Sequence, residues 1–338
     1  MLVALVGPTA AGKGSVAAFL EQKCGFSRIG YGTGATFASL GDMLQHVTAN
    51  WRTNFVTLDL RTADEIAPFE KRPFFLLVGI EAPVLKRWTR HTSKTGSSCT
   101  LEQFVAADDD AMFGSNDTAV DPDASLGPGV SSLAVQESDG IYATAPINAH
   151  TSLASLLARC QLRIENTLAT LPELHDYLGS LDLTSSHRLR PSWDAYFVSL
   201  CTLASMRSNC MKRRVGAVIV RDNRVLSTGY NGTPRGLTNC NEGGCPRCNE
   251  SAPCGSSLDE CLCLHAEENA LLELGRDRGG AQGTTLYCNT CPCLRCAVKV
   301  AQTGVQQVVY QLEYSMDDRS RQILSEAGVS IRQYFAPV

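Results

Sequence analysis

The chain has 338 residues, of which 44% are hydrophobic and 19% are charged. This length allows two domains that each bury a core, and the net charge of -4 argues against a protein built mainly to hold a polynucleotide, which presents a broad basic face. No apolar run approaches the length of a membrane span, and the first residues indicate a buried strand and not a signal peptide. We therefore expect a cytoplasmic or nuclear protein that binds no polynucleotide and no membrane.

The first predicted elements form a phosphate-binding arrangement. A strand over residues 2–6 is followed by a glycine-bearing turn and a helix over residues 13–22. The turn fits G-x-x-x-x-G-K, a loop whose backbone amides surround phosphates at a helix start. A glycine stands where the strict loop has the Ser or Thr that contacts Mg²⁺, which is similar to adenylate-kinase-type loops. We predict that a nucleotide binds at Gly7, Gly12, Lys13, Gly14 and Ser15. A nucleotide that binds as its magnesium complex would bring Mg²⁺ to this loop.

The rest of the first part indicates a parallel α/β sheet. A buried strand is predicted over residues 73–80 and a helix after Pro83, while Asp59 is the candidate for a second acidic nucleotide motif. Residues 108–146 are acidic and rich in turn residues, which predicts a flexible insertion. Helical periodicity then runs from Leu153 through Ile164 towards Leu171. We predict a P-loop kinase-like α/β domain over residues 1–185. Nucleotide binding, phosphoryl transfer and a relic loop remain alternatives, because the arginines and lid of a kinase are not recognisable.

The second part, residues 190–338, also mixes strands and helices. It begins with a helix over residues 193–205 and two strands, 216–220 and 224–229, between which Asp222 and Asn223 favour a tight turn. A cysteine-rich segment follows. We then predict a helix over residues 264–274, a strand over 285–288, a helix after Pro292, a strand over 307–310, a helix over 317–326 and a final strand.

The cysteines favour metal binding in this second part. Of the 15 cysteines only Cys24, Cys99 and Cys160 precede residue 200, and the others lie between residues 201 and 296. In a chain without a secretion signal, disulfides are a poor explanation for such crowding.

One pair of motifs indicates catalytic chemistry. His265-x-Glu267 is followed by Cys293-x-x-Cys296 after a proline, the arrangement of zinc nucleobase deaminases. One imidazole and two thiolates supply three zinc ligands and leave a position for water, and a helix N-terminus favours the thiolates. A zinc-bound hydroxide would attack C4 of the base, with Glu267 as proton shuttle. We therefore predict His265, Cys293 and Cys296 as metal ligands and Glu267 as catalytic residue.

Residues 190–336 resemble the deoxycytidylate deaminases, which convert dCMP to dUMP for thymidylate synthesis. With a nucleotide-kinase-like segment in front, the chain is similar to the fungal branch of that family. The resemblance implies a cytidine-deaminase-like three-layer α/β/α domain. It is carried by these stretches: Arg190-Pro191-Ser192-Trp193-Asp194, Arg207-Ser208-Asn209-Cys210, Val215-Gly216-Ala217, Gly229-Tyr230-Asn231-Gly232-Thr233-Pro234, His265-Ala266-Glu267 and Pro292-Cys293-x-x-Cys296.

The resemblance also implies ligands and partners. Asn231 would bind the deoxyribose and the amide of Ala266 the pyrimidine carbonyl, although Asn-Gly is also a plain turn signal. Arg207 with Ser208, or the basic run at residues 212–214, would hold the phosphate of dCMP, and a solvated basic turn is the alternative. The family further implies a homo-oligomer, commonly a hexamer, with dCTP as activator and dTTP as inhibitor.

A second cysteine group precedes His265. Cys240-x4-Cys245-x-x-Cys248 has metal-like spacing on an irregular segment, and some members of the resembled family carry a structural zinc here. We predict a closed zinc site made of four residues from a set of five: Cys210, Cys240, Cys245, Cys248 and Cys261. Free thiols are the alternative.

Two other functions compete with a nucleotide deaminase. The first is a cytidine deaminase directed at a polynucleotide or a nucleoside, and the acidic balance with no aromatic platform opposes the polynucleotide form. The second is a binding module with structural zinc only, which Glu267 beside a three-ligand site opposes.

Overall fold

The computed structural model describes residues 1–114, 152–250, 261–275, 279–313 and 317–336. The chain divides into two compact units, Met1–Arg190 and Pro191–Val338. In the described ranges, no helix combines the length and the apolar character that crossing a membrane requires.

The first unit is built around a five-stranded parallel sheet of order β2-β3-β1-β4-β5. Its elements in chain order are β1 Leu2–Val6, α1 Lys13–Cys24, β2 Ser27–Arg28, α2 Leu40–Ala49, β3 Phe55–Thr57, α3 Ala63–Glu70, β4 Phe75–Glu81, α4 Val84–Thr95, α5 Leu101–Phe113, α6 Leu153–Arg159, β5 Leu162–Glu165, α7 Leu171–Ser180 and α8 Ser186–Leu189.

Helices cover both faces of this sheet. Alternate residues of β1 point to opposite sides, so that Val3 and Leu5 pack with α1 and α7, while Leu2 and Ala4 pack with α2, α3 and α6. A strand buried on both faces needs a continuous apolar run, and this explains why residues 2–6 are all apolar. The first unit is therefore an α/β/α sandwich.

Two predictions for the first unit need correction. Helical periodicity was expected to continue from Leu153 towards Leu171, but α6 ends at Arg159 and Ile164 lies in β5, where it is buried beside β4. Apolar spacing alone does not separate a buried strand from a buried helix. The predicted flexible insertion at residues 108–146 is also wrong for residues 108–113, which belong to α5; Thr100 and Gln103 cap this helix at its start. Residues 115–146 of that prediction lie outside the described residues.

The second unit contains a mixed five-stranded sheet of order β10-β9-β8-β6-β7. The pairs β6–β7 and β6–β8 are antiparallel, whereas β8–β9 and β9–β10 are parallel. Its elements are α9 Trp193–Ser205, β6 Gly216–Arg221, β7 Arg224–Tyr230, a 3₁₀ turn Cys240–Glu242, α10 Pro246–Asn249, α11 Ala266–Leu274, β8 Thr285–Thr290, α12 Leu294–Gln302, β9 Gln307–Leu312, α13 Asp317–Glu326 and β10 Ser330–Gln333.

Three layers result, as the family resemblance implies. Phe197 and Cys201 of α9 pack on one face of the sheet, and α11, α12 and α13 pack on the other through Ala270, Val300 and Leu324. The turn between β6 and β7 has positive φ at both central residues, 50° at Asp222 and 59° at Asn223, which confirms the predicted tight turn. The helix predicted from residue 264 begins two residues later, at Ala266.

Candidate active site

The predicted metal ligands come together at the N-termini of two neighbouring helices. His265 is the N-cap of α11 and Cys293 is the N-cap of α12. Nδ1 of His265 lies 3.3 Å from Cys293 Sγ and 3.4 Å from Cys296 Sγ. α11 and α12 contact each other, and an ion pair joins Glu268 of the first to Lys299 of the second. Residues separated by about thirty positions thus form one compact group.

This group fits a zinc ion. The three ligand atoms lie within 4.8 Å of one another. A tetrahedral zinc with bonds of about 2.3 Å to sulfur and about 2.0 Å to nitrogen separates such ligands by about 3.5 Å, close to the two distances from Nδ1. Hydrogen bonding to the Cys296 thiol and the nearby His265 lower the pKa of Cys293 to about 4, so this sulfur is a thiolate at neutral pH. Thiolate sulfur is the form that binds zinc.

Glu267 lies in the first turn of α11 and is only 4% exposed. Burial raises the pKa of its carboxyl to about 7, because a low-dielectric surrounding disfavours the charged form. The carboxyl is in contact with the Cys296 thiol. A carboxyl with a pKa near neutrality can both accept and donate a proton at physiological pH, which is what a general acid–base catalyst needs.

The strand β7 positions α11 by close backbone contact. A Cβ at Gly229 would lie 2.1 Å from the carbonyl oxygen of Ala266 and 2.4 Å from the amide nitrogen of Ala270. Only glycine allows the strand to approach the helix this closely. At the end of β7, Gly232 forms an isolated antiparallel bridge with Leu264. The Gly229–Pro234 motif is thereby fixed beside the metal-ligand group.

Asn231, the predicted deoxyribose ligand, is 7% exposed and organises a loop. Its Oδ1 accepts hydrogen bonds from Ser208 Oγ at 2.7 Å and from Val215 N at 2.8 Å, and its Nδ2 donates to Arg213 O at 2.7 Å. Ser208, predicted for the substrate phosphate, thus contacts the predicted sugar ligand directly. Arg207 is exposed one position earlier.

The remaining predicted substrate contact, Ala266, is fully buried as the first residue of α11. The amides of a first helical turn have no acceptor within the helix, so the Ala266 amide is available to an acceptor at the site.

One structural residue of the site was not predicted. Asn289 of β8 accepts from Gly216 N through its Oδ1 at 3.1 Å and donates to Arg214 O at 3.4 Å. It therefore holds the end of the basic run at Arg214 and Gly216, next to the backbone groups that Asn231 contacts. No sequence signal marks it, because its partners are more than seventy residues away.

The second cysteine group is also assembled. All five predicted candidates lie in one cluster, and Cys263 joins them. This sixth thiol stands two residues before His265, and the Cys-x-Cys spacing that it forms with Cys261 was the overlooked signal. The five predicted residues are Cys210, Cys240, Cys245, Cys248 and Cys261.

In the first unit, the predicted phosphate loop connects β1 to α1. Gly12 is the N-cap of α1, and Lys13, Gly14 and Ser15 form its first turn. A Cβ at Gly7 would lie 2.1 Å from the Ile80 carbonyl oxygen, so this position requires glycine. The Lys13 ammonium donates to the carbonyl oxygens of Gly7 and Pro8.

Other charged groups surround this loop. Desolvation, together with the nearby charges of Arg61 and Arg87, lowers the pKa of Lys13. Arg87 is 5% exposed and forms a two-bond ion pair with Asp108. Asp59 follows β3, which pairs in parallel with β1, so it reaches the same sheet edge as the loop.

The chain was compared with known proteins. Residues 191–312 match the family profile of the cytidine and deoxycytidylate deaminase zinc-binding region. A deoxycytidylate deaminase of Schizosaccharomyces pombe is 43% identical over 99% of this chain and 98% of its own length. One of Saccharomyces cerevisiae is 43% identical over 87% of this chain and 85% of its own length. A crystal structure of dCMP deaminase from cyanophage S-TIM5 in complex with dCMP and dUMP is 31% identical, covers 43% of this chain and 98% of that chain, and has a TM-score of 0.36.

Proposed function

The chain belongs to the deoxycytidylate deaminase family, and from this premise we infer the role of each site residue. The protein hydrolyses dCMP to dUMP and ammonia: an oxygen from water is added at C4 of the cytosine, and the C4 amino group leaves. One observation connects this reaction to particular residues. It is the convergence of His265 Nδ1 on the sulfur atoms of Cys293 and Cys296, beside the buried carboxyl of Glu267.

We propose that His265, Cys293 and Cys296 hold the catalytic zinc. When bound there, zinc supplies Lewis-acid activation of a water molecule. The N-termini of α11 and α12 both point their partial positive charge at this group, which favours two thiolates over two thiols.

Glu267 moves the protons. In its acid form it donates to N3 of the cytosine, it takes a proton from the attacking water, and it passes a proton to the departing ammonia. Burial raises the pKa of the carboxyl, which makes Glu267 a readier proton donor than an exposed glutamate. Neither the zinc nor the thiolates can replace Glu267 in these proton transfers, because the thiolates would be bound to the metal.

The segment around Asn231 recognises the nucleotide. We propose that the second Nδ2 proton of Asn231 contacts the deoxyribose, and that the Ala266 amide donates to the pyrimidine carbonyl. Ser208 touches Asn231, which brings Arg207 and Ser208 to the same end of the site. These two residues would hold the single phosphate of dCMP.

Phosphate recognition by Arg207 can be tested with a pair of substrates. Arg207→Gln should raise KM for dCMP far more than KM for deoxycytidine, because only dCMP carries the phosphate. Arg224→Gln, at another exposed arginine of the same unit, is the matched control. Equal effects on both substrates would remove Arg207 from phosphate recognition.

The second metal site, the nucleotide site, the effectors and the oligomeric state are also proposals. We propose a structural zinc at the second cysteine group and a nucleotide at the phosphate loop of residues 7–15. Family resemblance supports dCTP as activator, dTTP as inhibitor and a homo-oligomer of six chains. The basic groups Lys13 and Arg61 favour an anion at the loop, where Arg87 is already paired with Asp108.

The decisive assay compares ammonia release from dCMP, CMP, deoxycytidine and cytidine, with and without dCTP, and includes a cytosine-containing single-stranded DNA. We expect turnover of dCMP that exceeds turnover of all the others. Preference for either nucleoside would favour a nucleoside deaminase, and preference for the DNA would favour an editing enzyme. If no substrate is deaminated by zinc-loaded protein, the proposed function is wrong.

A further inference from the structure

Six cysteine thiols of the second unit form one compact cluster that the deamination reaction does not use. We call it the six-thiol cluster. Four of its members are buried and two are partly buried, and it shares no residue with the group formed by His265, Cys293 and Cys296. The members are Cys210, Cys240, Cys245, Cys248, Cys261 and Cys263.

The sulfur atoms of the cluster fall into two overlapping sets of four. One set is Cys210, Cys240, Cys248 and Cys263, and the other is Cys245, Cys248, Cys261 and Cys263. In each set all four sulfur atoms lie within 4.8 Å of one another. Cys248 and Cys263 belong to both sets, so each set has two members of its own and two that are shared.

The distances match those of tetrahedral zinc sites. A zinc ion with four Zn–S bonds of about 2.3 Å separates its sulfurs by about 3.8 Å. Cys248 Sγ lies 3.9 Å from Cys210 Sγ, 3.7 Å from Cys261 Sγ and 3.9 Å from Cys263 Sγ. Cys245 Sγ lies 4.0 Å from Cys261 Sγ. Spacing of this kind is therefore present on both sides of the shared pair.

We propose that the six-thiol cluster binds two zinc ions, with the thiolates of Cys248 and Cys263 bridging them. This proposal extends the proposed structural zinc and does not depend on the reaction at His265. Each ion then has four sulfur ligands, as closed zinc sites do, and all six thiols are used. With one ion, two cysteines would be left over beside a site that already carries excess negative charge.

Charge favours the second ion. One Zn²⁺ with four thiolates carries two net negative charges, and adding a second Zn²⁺ with the two remaining thiolates leaves this net charge unchanged. Hydrogen-bond donors already face the sulfurs: Met211 N donates to Cys240 Sγ at 3.4 Å, and the Arg247 guanidinium donates to Cys261 and Cys248. Such donors stabilise thiolates around a metal.

The local fold also favours two bound zinc ions over one. Among the described residues of this region, the apolar cluster consists of cysteines alone, and the regular structure around it is one 3₁₀ turn and the four-residue helix α10. Where thiols take the place of aliphatic side chains in this way, metal binding supplies folding energy. Two ions with a shared pair of ligands join residues 210, 240–248 and 261–263 into one unit.

The first test is the zinc content of the purified full chain, measured by inductively coupled plasma mass spectrometry against amino-acid analysis. We expect three zinc ions per chain: one at His265 and two in the six-thiol cluster. Two per chain, of which His265→Ala removes one, would overturn the bridged pair while leaving the single structural zinc, and one per chain that His265→Ala removes would overturn both. Counting zinc needs no deaminase activity, so a failure of the zinc pair is distinguished from a failure of the proposed function.

Substitution of a cysteine that belongs to only one set tests whether two separate zinc ions are bound. Cys210→Ser and Cys261→Ser should each lower the content by one ion, because each removes a ligand of a different zinc. A single zinc bound by either set of four would be affected by only one of these two changes, and that result would overturn the proposal. Cys99→Ser, at a thiol of the first unit, is the control and should keep all three ions.

Replacing zinc with cadmium tests for the bridging thiolates without any substitution in the chain. In the ¹¹³Cd NMR spectrum of the exchanged full chain, two resonances of sulfur-bound cadmium should split each other, since coupling passes through a bridging sulfur. A single resonance from the cluster, or two without mutual splitting, would overturn the bridged pair.

Discussion

Gly232 and Leu264 exchange backbone hydrogen bonds: Leu264 N–H donates to Gly232 O over 2.8 Å, and Gly232 N–H donates to Leu264 O over 3.2 Å. The pair joins the residue after Asn231 to the residue before His265. A nucleotide bound at Asn231, as we propose, would therefore lie at a set distance from the proposed metal ligands. Because only backbone atoms are involved, this spacing does not depend on side-chain rotamers, and positioning of this kind is a large part of catalysis.

Replacing the proton-transfer residue should separate catalysis from metal binding. Glu267→Gln keeps the shape of the side chain but cannot exchange a proton, so we expect kcat to fall by about 10²–10⁴-fold or more with zinc content unchanged. Ammonia release and metal analysis measure the two properties. Glu268→Gln is the matched control one residue along α11, where the carboxylate pairs with Lys299; its kcat should stay within about twofold of the parent. Full activity of Glu267→Gln would contradict the mechanism.

Close contact between β7 and α11 predicts an unusual sensitivity to one methyl group. Gly229→Ala would place a Cβ 2.1 Å from the Ala266 carbonyl oxygen, so the helix that carries His265 must shift. We expect the free energy of unfolding to fall by about 1–3 kcal/mol, with a loss of kcat. Urea denaturation and steady-state kinetics check both.

The control for this change is Gly179→Ala in α7, where a Cβ meets no atom within 4 Å. Alanine is the better helix former, so stability should rise by about 0.5–1 kcal/mol. If Gly229→Ala proves as harmless as the control, the approach of β7 does not fix α11.

Asp194 ties α9 to the sheet in a pH-dependent manner. Its Oδ1 accepts from Arg332 Nη2 at 2.8 Å and from the Tyr287 hydroxyl at 2.9 Å. The bond from Arg332 holds the pKa of Asp194 below its usual range. A carboxyl with a lowered folded-state pKa contributes stability above its unfolded pKa of about 3.9, and this contribution is lost as the pH falls through the folded value.

The urea midpoint of the parent protein should therefore exceed that of Asp194→Asn at about pH 7, and the difference should shrink below about pH 4. Partial exposure keeps the effect modest. A difference that does not change with pH would show that the carboxylate charge is not what matters at this position.

The sequence predicted local features of the fold and of the site, and its errors have a common cause. The tight turn at Asp222 and the helix starts at His265 and Cys293 depend on neighbouring residues, which a sequence displays directly. By contrast, Ile164 occupies a strand because β4 lies beside it, and Asn289 serves the site through bonds to residues more than seventy positions away. Contacts of this kind exist only after folding.

The six-thiol cluster shows the same limit. Spacing identified the metal-like run at Cys240, Cys245 and Cys248, whereas the membership of Cys263 follows from its distance of 3.9 Å to Cys248 Sγ. Which thiols are shared between the two sets is a three-dimensional property, because three chain segments contribute to them. The sequence could therefore predict that metal binds, but not the stoichiometry that we propose.

Nucleotide binding at the phosphate loop gives the last prediction. Lys13 donates to the carbonyl oxygens of Gly7 and Pro8 in its own loop, and its pKa is lowered by burial and by the charges of Arg61 and Arg87. Arg87 is already paired with Asp108, so a bound phosphate would compensate the positive charges of Lys13 and Arg61. Lys13→Ala should therefore weaken the binding of ATP and dCTP by about 10-fold or more, since a charge-assisted hydrogen bond contributes about 1.5–3 kcal/mol.

Isothermal titration of each nucleotide into the full chain measures this effect. Lys23→Ala is the matched control, because Lys23 lies exposed in the last turn of the same helix and should leave the affinity unchanged. Equal affinities for the parent protein and Lys13→Ala would show that the loop does not use its lysine on phosphates. In that case the motif at residues 7–15 is a structural turn that joins β1 to α1, and the effectors bind elsewhere.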